Sequence, residues 1–229
     1  MNEPIISVSG LRGVIGDSLD PVLAIRYTAA FAQGLTQPGP IVVSRDGRAT
    51  GTMLALAIQA GLAAIGRDVL YADVAATPTT GVLVREHNAA GGIQISASHN
   101  PAQYNGIKLF GSHGRVIDAA AGLAVIDAYH ENAPKLVPHD RIGQIEIIGD
   151  TTSEHLRLVL ATVDVAAIRA KKFKVVLDSH HGAGSLLGRQ LLESLGCEFE
   201  VLGGTPDGRF EHNPEPTEEN LTETARRST

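Results

Sequence analysis

The sequence predicts an α/β fold: a three-layer α/β/α domain on a mixed, mainly parallel sheet, followed by a second, incomplete α/β/α domain. Short apolar runs typical of buried strands alternate along the chain with segments whose apolar residues recur at helical spacing. The segments between the runs are long enough for the right-handed crossovers that parallel strands require. Of the 229 residues, 43% are hydrophobic and 19% are charged, which is typical of an ordered globular chain.

The first domain is expected over residues 1–134. Its first helix has two start signals, because Asp20 can cap the helix and Pro21 fits its first position. Apolar residues then recur at helical spacing as far as Leu35. The later helices are expected over 54–65, 79–87 and 119–129, and the strands over 41–43, 69–71, 92–95 and 107–110.

A connection containing Pro138 and Gly143 is expected over residues 135–150, and the second domain over 151–229. The patterns predict helices over 153–163 and 186–195 and strands over 173–177 and 199–202. Two strands are few for a stable sheet, so this domain is expected to be incomplete. The single cysteine, Cys197, cannot form an internal disulfide and is expected to be a small core residue.

Charge and the pattern of apolar residues argue against two classes of partner. The formal net charge is −6 and no cluster of Lys and Arg forms a basic surface, which argues against nucleic-acid binding. No apolar run approaches the roughly 18 residues of a transmembrane helix, and the first residues lack the pattern of a secretory signal. We therefore expect a cytoplasmic protein without a membrane partner, and the sequence leaves the oligomeric state open.

A polar loop, ISASHNPAQYNGIKLF at residues 95–110, carries the strongest functional signal. Ser98 comes directly after a predicted buried strand, and ligands bind to α/β sheets at the carboxyl ends of such strands. Lys108 lies on the next predicted strand, which runs back beside the loop. A hydroxyl, an imidazole at His99, a lysine and exposed backbone amides suit an anionic group such as phosphate. The alternative is an ordinary turn in which Ser98 and Asn100 bond to local backbone.

A series of short motifs runs along the chain: LRGVIG at 11–16, VVSRDGR at 42–48, ATPT at 76–79, SASHNP at 96–101, YNGIK at 104–108, VLD at 176–178, GAGS at 182–185, PDGRF at 206–210 and HNPEPT at 212–217. In this order they closely resemble the motifs of the α-D-phosphohexomutases, the family that includes phosphomannomutase/phosphoglucomutase and phosphoglucosamine mutase. The match to the phosphoserine loop of that family is long and specific, and the resemblance covers essentially the whole chain.

The resemblance implies a role for each site residue. Ser98 would carry the phosphoryl group and supply one ligand to Mg²⁺, and Arg12 would contact the transferring phosphate. His99 and Lys108 would hold the serine phosphate and transfer protons, with Asn100 among the phosphate-binding residues. The implied partners are a hexose phosphate and a hexose 1,6-bisphosphate. Phosphoryl transfer needs cations around spreading negative charge, and these residue types can provide them.

Three further motifs of the family are not found in this sequence. They are the Asp-Gly-Asp-x-Asp-Arg metal loop, the Glu-x-Ser-Gly-His sugar loop and the Arg-x-Ser-Gly-Thr phosphate clamp. We therefore expect an amino-terminal portion, with the other Mg²⁺ ligands beyond residue 229. Such a chain alone is expected to have negligible mutase activity, and it does not reveal which hexose is preferred. The main alternative is a noncatalytic phosphosugar-binding or interaction module.

Other candidate sites are weaker. A serine hydrolase using Ser98 and His99 lacks an evident acid partner and the Gly-x-Ser-x-Gly elbow. Asp46, which lies between two arginines, is expected to form a local salt-bridged turn that shapes the cleft.

Two further patterns do not indicate a binding site. Gly10, Gly13 and Gly16 have the wrong spacing for a dinucleotide fingerprint. Zinc at Asp178, His180 and His181 is disfavoured, because adjacent histidines at a strand end point in different directions. The family usually has Ala-Asn or similar residues where this chain has the two histidines, which leaves the role of this turn open.

Overall fold

The computed structural model describes residues 3–8, 10–131 and 133–227. The first part of the chain forms β1 (Ile5–Ser7), β2 (Gly10–Val14), α1 (Pro21–Gly34), β3 (Ile41–Arg45), α2 (Gly51–Ala64), β4 (Val69–Val74), α3 (Thr77–Glu86), β5 (Gly91–Ile95), β6 (Tyr104–Gly111) and α4 (Ala119–Glu131). The second part forms a short 3₁₀ helix (His139–Arg141), β7 (Ile145–Ile147), α5 (Ser153–Leu160), α6 (Val165–Lys171), β8 (Lys174–Asp178), α7 (Gly184–Ser194), β9 (Glu198–Leu202) and α8 (Thr222–Arg227).

A seven-stranded mixed sheet in the order β1-β2-β6-β5-β3-β4-β7 organises the first part of the chain. The strands β5, β3, β4 and β7 pair in parallel, whereas β1, β2, β6 and β5 pair antiparallel. The main core lies between this sheet and α1, α2 and α4, and a smaller apolar cluster lies under α3 on the opposite face. The predicted three-layer α/β/α arrangement is therefore confirmed.

The first helix begins where the sequence predicts. The side chain of Asp20 accepts a hydrogen bond of 2.8 Å from the backbone N–H of Leu23, and Pro21 is the first helical residue. The first backbone N–H groups of a helix have no partner within the helix. The Asp20 side chain provides a partner for one of them, and proline has no N–H to leave unpaired.

Several elements differ from the sequence-based expectation. β1 and β2 form a hairpin at the sheet edge, and β7 lies within the segment expected to be a connection. The helix expected over 153–163 ends at Leu160, because Asp164 caps a new helix by accepting a hydrogen bond of 3.0 Å from Ala167 N–H. Cys197 is half-buried rather than a core residue.

The second sheet contains the parallel pair β8 and β9, in line with the expected incomplete second domain. The loops after these strands face the polar loop that follows β5, and this contact positions the candidate site. Within the described residues, no helix combines the length and apolar character needed to span a bilayer.

Candidate functional site

Ser98 lies in the loop that begins at the carboxyl end of β5. Its backbone is left-handed, with φ of 55°, and its N–H donates a hydrogen bond of 3.0 Å to Ser96 Oγ. The side chain is exposed, and Ser98 Oγ lies 3.3 Å from Nδ1 of His99. A non-glycine residue in this conformation costs free energy, so surrounding contacts must hold the turn.

Arg48 provides those contacts from the loop after β3. It is 2% exposed, and its guanidinium donates hydrogen bonds to four backbone carbonyls of the polar loop. The acceptors are Pro101, Tyr104, Ser98 and Asn100. Asp46 accepts from both the backbone N–H and Nε of Arg48, at 2.9 and 3.2 Å, as the sequence predicts for a salt-bridged turn. Burial lowers the pKa of Arg48, and the Asp46 carboxylate opposes this effect.

Arg12 and Lys108 lie on β2 and β6, which are paired antiparallel. Gly10 faces Lys108 and Arg12 faces Gly106, so the alternation of strand residues places both cationic side chains on the same face of the sheet. Together with Ser98 they line a cleft of about 230 Å³. Within the described chain, neither cation forms a salt bridge.

His99 connects the polar loop to the second part of the chain. Its Nε2 lies 3.1 Å from Oε2 of Glu215, while Nδ1 faces Ser98 Oγ. Both His99 and Glu215 are about half exposed. The structure therefore supplies the acid partner of His99 that the sequence did not reveal.

Asn100 uses its side chain within the loop. Its Nδ2 donates a hydrogen bond of 2.7 Å to the carbonyl of Ala97, and its backbone N–H donates to the same carbonyl at 3.1 Å. This contact matches the turn interpretation of the residue. Ser98, Arg12 and Lys108 line the cleft and His99 contacts Ser98 Oγ, whereas the side chain of Asn100 folds back onto the turn.

A second cleft, of about 220 Å³, separates the polar loop from the loops of the second domain. Asp46, Ser96 and Ser98 line one side, and Ser179 and His180 line the other. The two sides meet at Gly47, where a Cβ atom would collide with the backbone carbonyl of His181. Gly208 has a φ of 70° and also packs on Gly47, so glycine is required on both sides of this contact.

A cluster of Asp178, His180 and His212 lies beside this second cleft. Their ligand atoms lie within 4.8 Å of one another, and His212 Nε2 is 3.1 Å from Asp178 Oδ2. The Asp178 carboxylate also accepts hydrogen bonds from Thr224 Oγ1 at 2.6 Å and from the backbone N–H of His180 at 3.0 Å. His181 points away, with Nδ1 2.8 Å from Asp207.

Burial, hydrogen bonds and neighbouring charges shift the pKa values of all three side chains in this cluster. Burial raises the pKa of Asp178, but hydrogen bonds from Thr224 and His212 outweigh it and hold the pKa below its ordinary value. Burial lowers the pKa of His212, and hydrogen bonding at Asn213 and Asp178 outweighs it, so the pKa is raised. Burial and the neighbouring His212 lower the pKa of His180.

The described residues do not by themselves form a Mg²⁺ site. Mg²⁺ prefers oxygen ligands in octahedral geometry, whereas the one group of three possible ligand residues in the described chain contains two imidazoles. Ser98 Oγ is the oxygen that the sequence assigned to Mg²⁺, and it is not a member of this group.

Sequence reasoning missed the roles of Arg48, Glu215 and His212. All three lie within motifs that carry the family resemblance, but their partners are distant in sequence. Arg48 lies 50 positions from Ser98, and His212 lies 34 positions from Asp178.

Two family descriptions match the chain. Phosphoglucomutase/phosphomannomutase, alpha/beta/alpha domain I, matches residues 4–135, and domain II of the same family matches residues 153–228. A phosphoglucomutase/phosphomannomutase of Thermococcus kodakarensis is 36% identical over 217 residues, which cover 93% of this chain and 47% of that protein. A phosphoglucosamine mutase of Parasynechococcus marenigrum is 34% identical over 207 residues, covering 90% of this chain and 44% of that protein.

The fold is also shared with solved structures. A phosphoglucomutase/phosphomannomutase family protein from Burkholderia thailandensis superposes with a TM-score of 0.79 at 26% identity, covering 97% of this chain and 50% of that one. The chain thus spans about half the length of the proteins that it matches.

Proposed function

Since this chain belongs to the phosphoglucomutase/phosphomannomutase family, we propose that Ser98 accepts and returns the phosphoryl group of a hexose phosphate. One observation carries the proposal. An exposed serine, in a strained and firmly held turn, borders the same cleft as Arg12 and Lys108, two cations that lack an ion-pair partner in the described structure. Two neighbouring unpaired cations repel each other, and a phosphate between them would relieve that repulsion.

The transfer step follows from these positions. Ser98 Oγ attacks the phosphorus of a sugar bisphosphate, the bond from phosphorus to the sugar oxygen breaks, and the hydroxyl proton of Ser98 passes to Nδ1 of His99. The same proton then moves to the departing sugar oxygen. Arg12 and Lys108 offset the negative charge of the phosphoryl oxygens, and Glu215 stabilises the transient imidazolium.

The rigid turn contributes to the same step. Arg48 fixes the carbonyl of Ser98 and three neighbouring carbonyls, so the serine oxygen has little freedom to reorganise during transfer. Holding the nucleophile in place supplies part of the barrier reduction that positioning can provide.

For the whole protein we propose movement of a phosphoryl group between C1 and C6 of a hexose phosphate, through phosphoserine and a hexose 1,6-bisphosphate. Mg²⁺ would supply further charge stabilisation when bound. Ser98 would be one of its ligands, and the other ligands would come from residues outside this chain. We propose that the chain alone has negligible turnover, because each missing charge-stabilising element costs about 3 kcal/mol of barrier.

Phosphate uptake tests the site directly. The purified chain is incubated with glucose 1,6-bisphosphate and its intact mass is measured. We expect one added phosphate in the unmodified chain, none in Ser98→Ala, and a slower gain in Arg12→Gln. A chain that gains no phosphate would support the noncatalytic binding module instead, while phosphate that persists in Ser98→Ala would place the acceptor at another residue.

Turnover is a separate measurement. Glucose 1-phosphate, mannose 1-phosphate and glucosamine 1-phosphate are each supplied with Mg²⁺ and a trace of the corresponding bisphosphate. We expect no turnover above background. A rate typical of enzymes, about 10 s⁻¹, would show that this chain holds all the groups needed for catalysis.

The contacts from Ser98 to His99 to Glu215 favour one second candidate, a serine hydrolase. In such enzymes Nε2 of the histidine faces the serine and Nδ1 faces the acid, whereas here the two nitrogens are exchanged. We therefore expect no labelling of Ser98 by a fluorophosphonate probe, and stoichiometric labelling would favour the hydrolase.

A further inference from the structure

The cluster of Asp178, His180 and His212 has features of a metal centre that the transfer step does not use. Its three donor atoms come from the end of β8, the following turn and the loop after Gly208, and they lie within 4.8 Å of one another. A tetrahedral ion with bonds of about 2.1 Å needs donor atoms roughly 3.4 Å apart. His212 Nε2 and Asp178 Oδ2 are already 3.1 Å apart.

His180 provides an independent indication. Both of its ring nitrogens are shielded from solvent and have no hydrogen-bond partner within the described residues. Its ring stacks on Phe210 and His212, with centroids 4.8 and 3.9 Å apart, and its backbone is left-handed with φ of 45°. Shielding an imidazole without a partner costs free energy, as does this backbone conformation. A ligand for one ring nitrogen would remove the first of these costs.

We propose that Asp178, His180 and His212 bind a divalent transition metal of the zinc class. Two imidazoles and one carboxylate suit Zn²⁺ or Co²⁺, whereas Mg²⁺ and Ca²⁺ prefer oxygen ligands alone. Binding would bring the three donor atoms, which lie within 4.8 Å of one another, to tetrahedral spacing, and the fourth position is left to solvent. Thr224 Oγ1 donates to Asp178 Oδ2 and holds the carboxylate in place, as outer groups do in metal sites.

The triad faces the polar loop across the second cleft, which Ser98 and His180 both line. Its three ligand residues are not among those proposed for the transfer step, so metal binding can be tested without that step. His181, the neighbour of His180, is not part of the triad, because it contacts Asp207 and Glu211 instead. The sequence argues against zinc at Asp178, His180 and His181, and the proposed site has His212 in place of His181.

Metal binding by the purified chain tests the proposal. Zn²⁺ is titrated into the metal-free protein by calorimetry, and Co²⁺ is followed by its visible absorption, which intensifies at a tetrahedral site. We expect one Zn²⁺ per chain and an intense Co²⁺ spectrum. His180→Asn and His212→Asn should each weaken Zn²⁺ binding by more than the roughly 10- to 100-fold typical of outer-shell changes.

His181→Asn is the matched control, because it alters the neighbouring histidine of the same turn but leaves the triad intact. It should bind Zn²⁺ within about threefold of the parent chain, because all three ligand side chains are kept. If this variant loses binding as fully as His180→Asn, the ligand set is wrong. His212 lies outside every helix and strand, so His212→Asn remains informative if changes at β8 prevent folding. A parent chain that binds no Zn²⁺ more tightly than the His180→Asn/His212→Asn double variant would overturn the proposal.

Discussion

The guanidinium of Arg48 donates a hydrogen bond of 3.0 Å to the backbone carbonyl of Ser98, the residue proposed to carry the phosphoryl group. The same group bonds three more carbonyls of the loop and packs over the ring of Phe210, 5.0 Å from its centroid. One buried side chain of the first domain thus holds the polar loop and contacts the second domain.

We therefore expect Arg48→Met to lower the free energy of unfolding by about 3–5 kcal/mol, the usual cost of breaking a buried charged network. Four loop carbonyls and the Asp46 carboxylate would lose a donor. Urea unfolding measures the loss, and hydrogen exchange at residues 98–104 should report a loosened loop.

Arg157→Met is the matched control, because the exposed Arg157 pairs at 2.6 Å with Glu154, one turn away on α5. It should cost about 1 kcal/mol or less. Equal losses in the two variants would contradict the organising role of Arg48.

The contrast between Arg48 and the first helix shows which features the sequence could predict. Asp20, Pro21 and the apolar stripe as far as Leu35 act within one helix, so local spacing predicts that helix well. The four acceptors of Arg48 lie about 50 residues away, and no local pattern reveals them.

The same limit applies to the short strands. β1 and β7 have three residues each and are mostly exposed, so their residues show too little alternation to predict a strand. They become strands through pairing with β2 and β4, which is a tertiary effect. Ser98 and His99 could be predicted as site residues because they belong to one local loop motif. Glu215, the partner of His99, and His212, the partner of Asp178, are distant in sequence and are brought to these residues only by the fold.

The contact between Glu215 and His99 predicts a kinetic effect. Glu215→Gln should lower the rate of Ser98 phosphorylation by up to about fivefold, because an exposed ion pair contributes about 0.2–1 kcal/mol. High salt should reduce the difference from the parent chain. The rate is measured by intact mass after mixing with glucose 1,6-bisphosphate. Glu218→Gln, a change on the same exposed loop, should react at the parent rate, and an equal loss there would argue against a specific role for Glu215.

Tyr27 is fully buried in the main core, and its hydroxyl has no hydrogen-bond partner within the described chain. Burial raises the pKa of this hydroxyl to about 12. Because removing an unpaired buried hydroxyl relieves its desolvation cost, Tyr27→Phe should raise the free energy of unfolding by about 1 kcal/mol. Urea unfolding tests this. Tyr129→Phe, which changes the half-buried ring 5.8 Å away, should be nearly neutral, and a destabilised Tyr27→Phe would indicate that the hydroxyl makes a stabilising interaction.

We expect the contact between α5 and α3 to depend on pH through His155. Its Nδ1 lies 2.9 Å from Thr79 Oγ1, and burial, followed by the nearby charge of Arg85, lowers the pKa of His155 below 6.5. The unfolded chain therefore binds a proton at this histidine more readily than the folded chain does. The free energy of unfolding should decrease as the pH falls below 6.5, until the lower pKa of the folded state is reached.

Urea unfolding at about pH 8 and about pH 5 measures this dependence together with that of all other groups. His155→Gln should remove the His155 part and show a smaller decrease than the parent chain. His139→Gln, a change at an exposed histidine of the 3₁₀ helix, should keep the parent dependence. If His155→Gln and the parent lose the same stability between the two pH values, the buried imidazole is not the source of the effect.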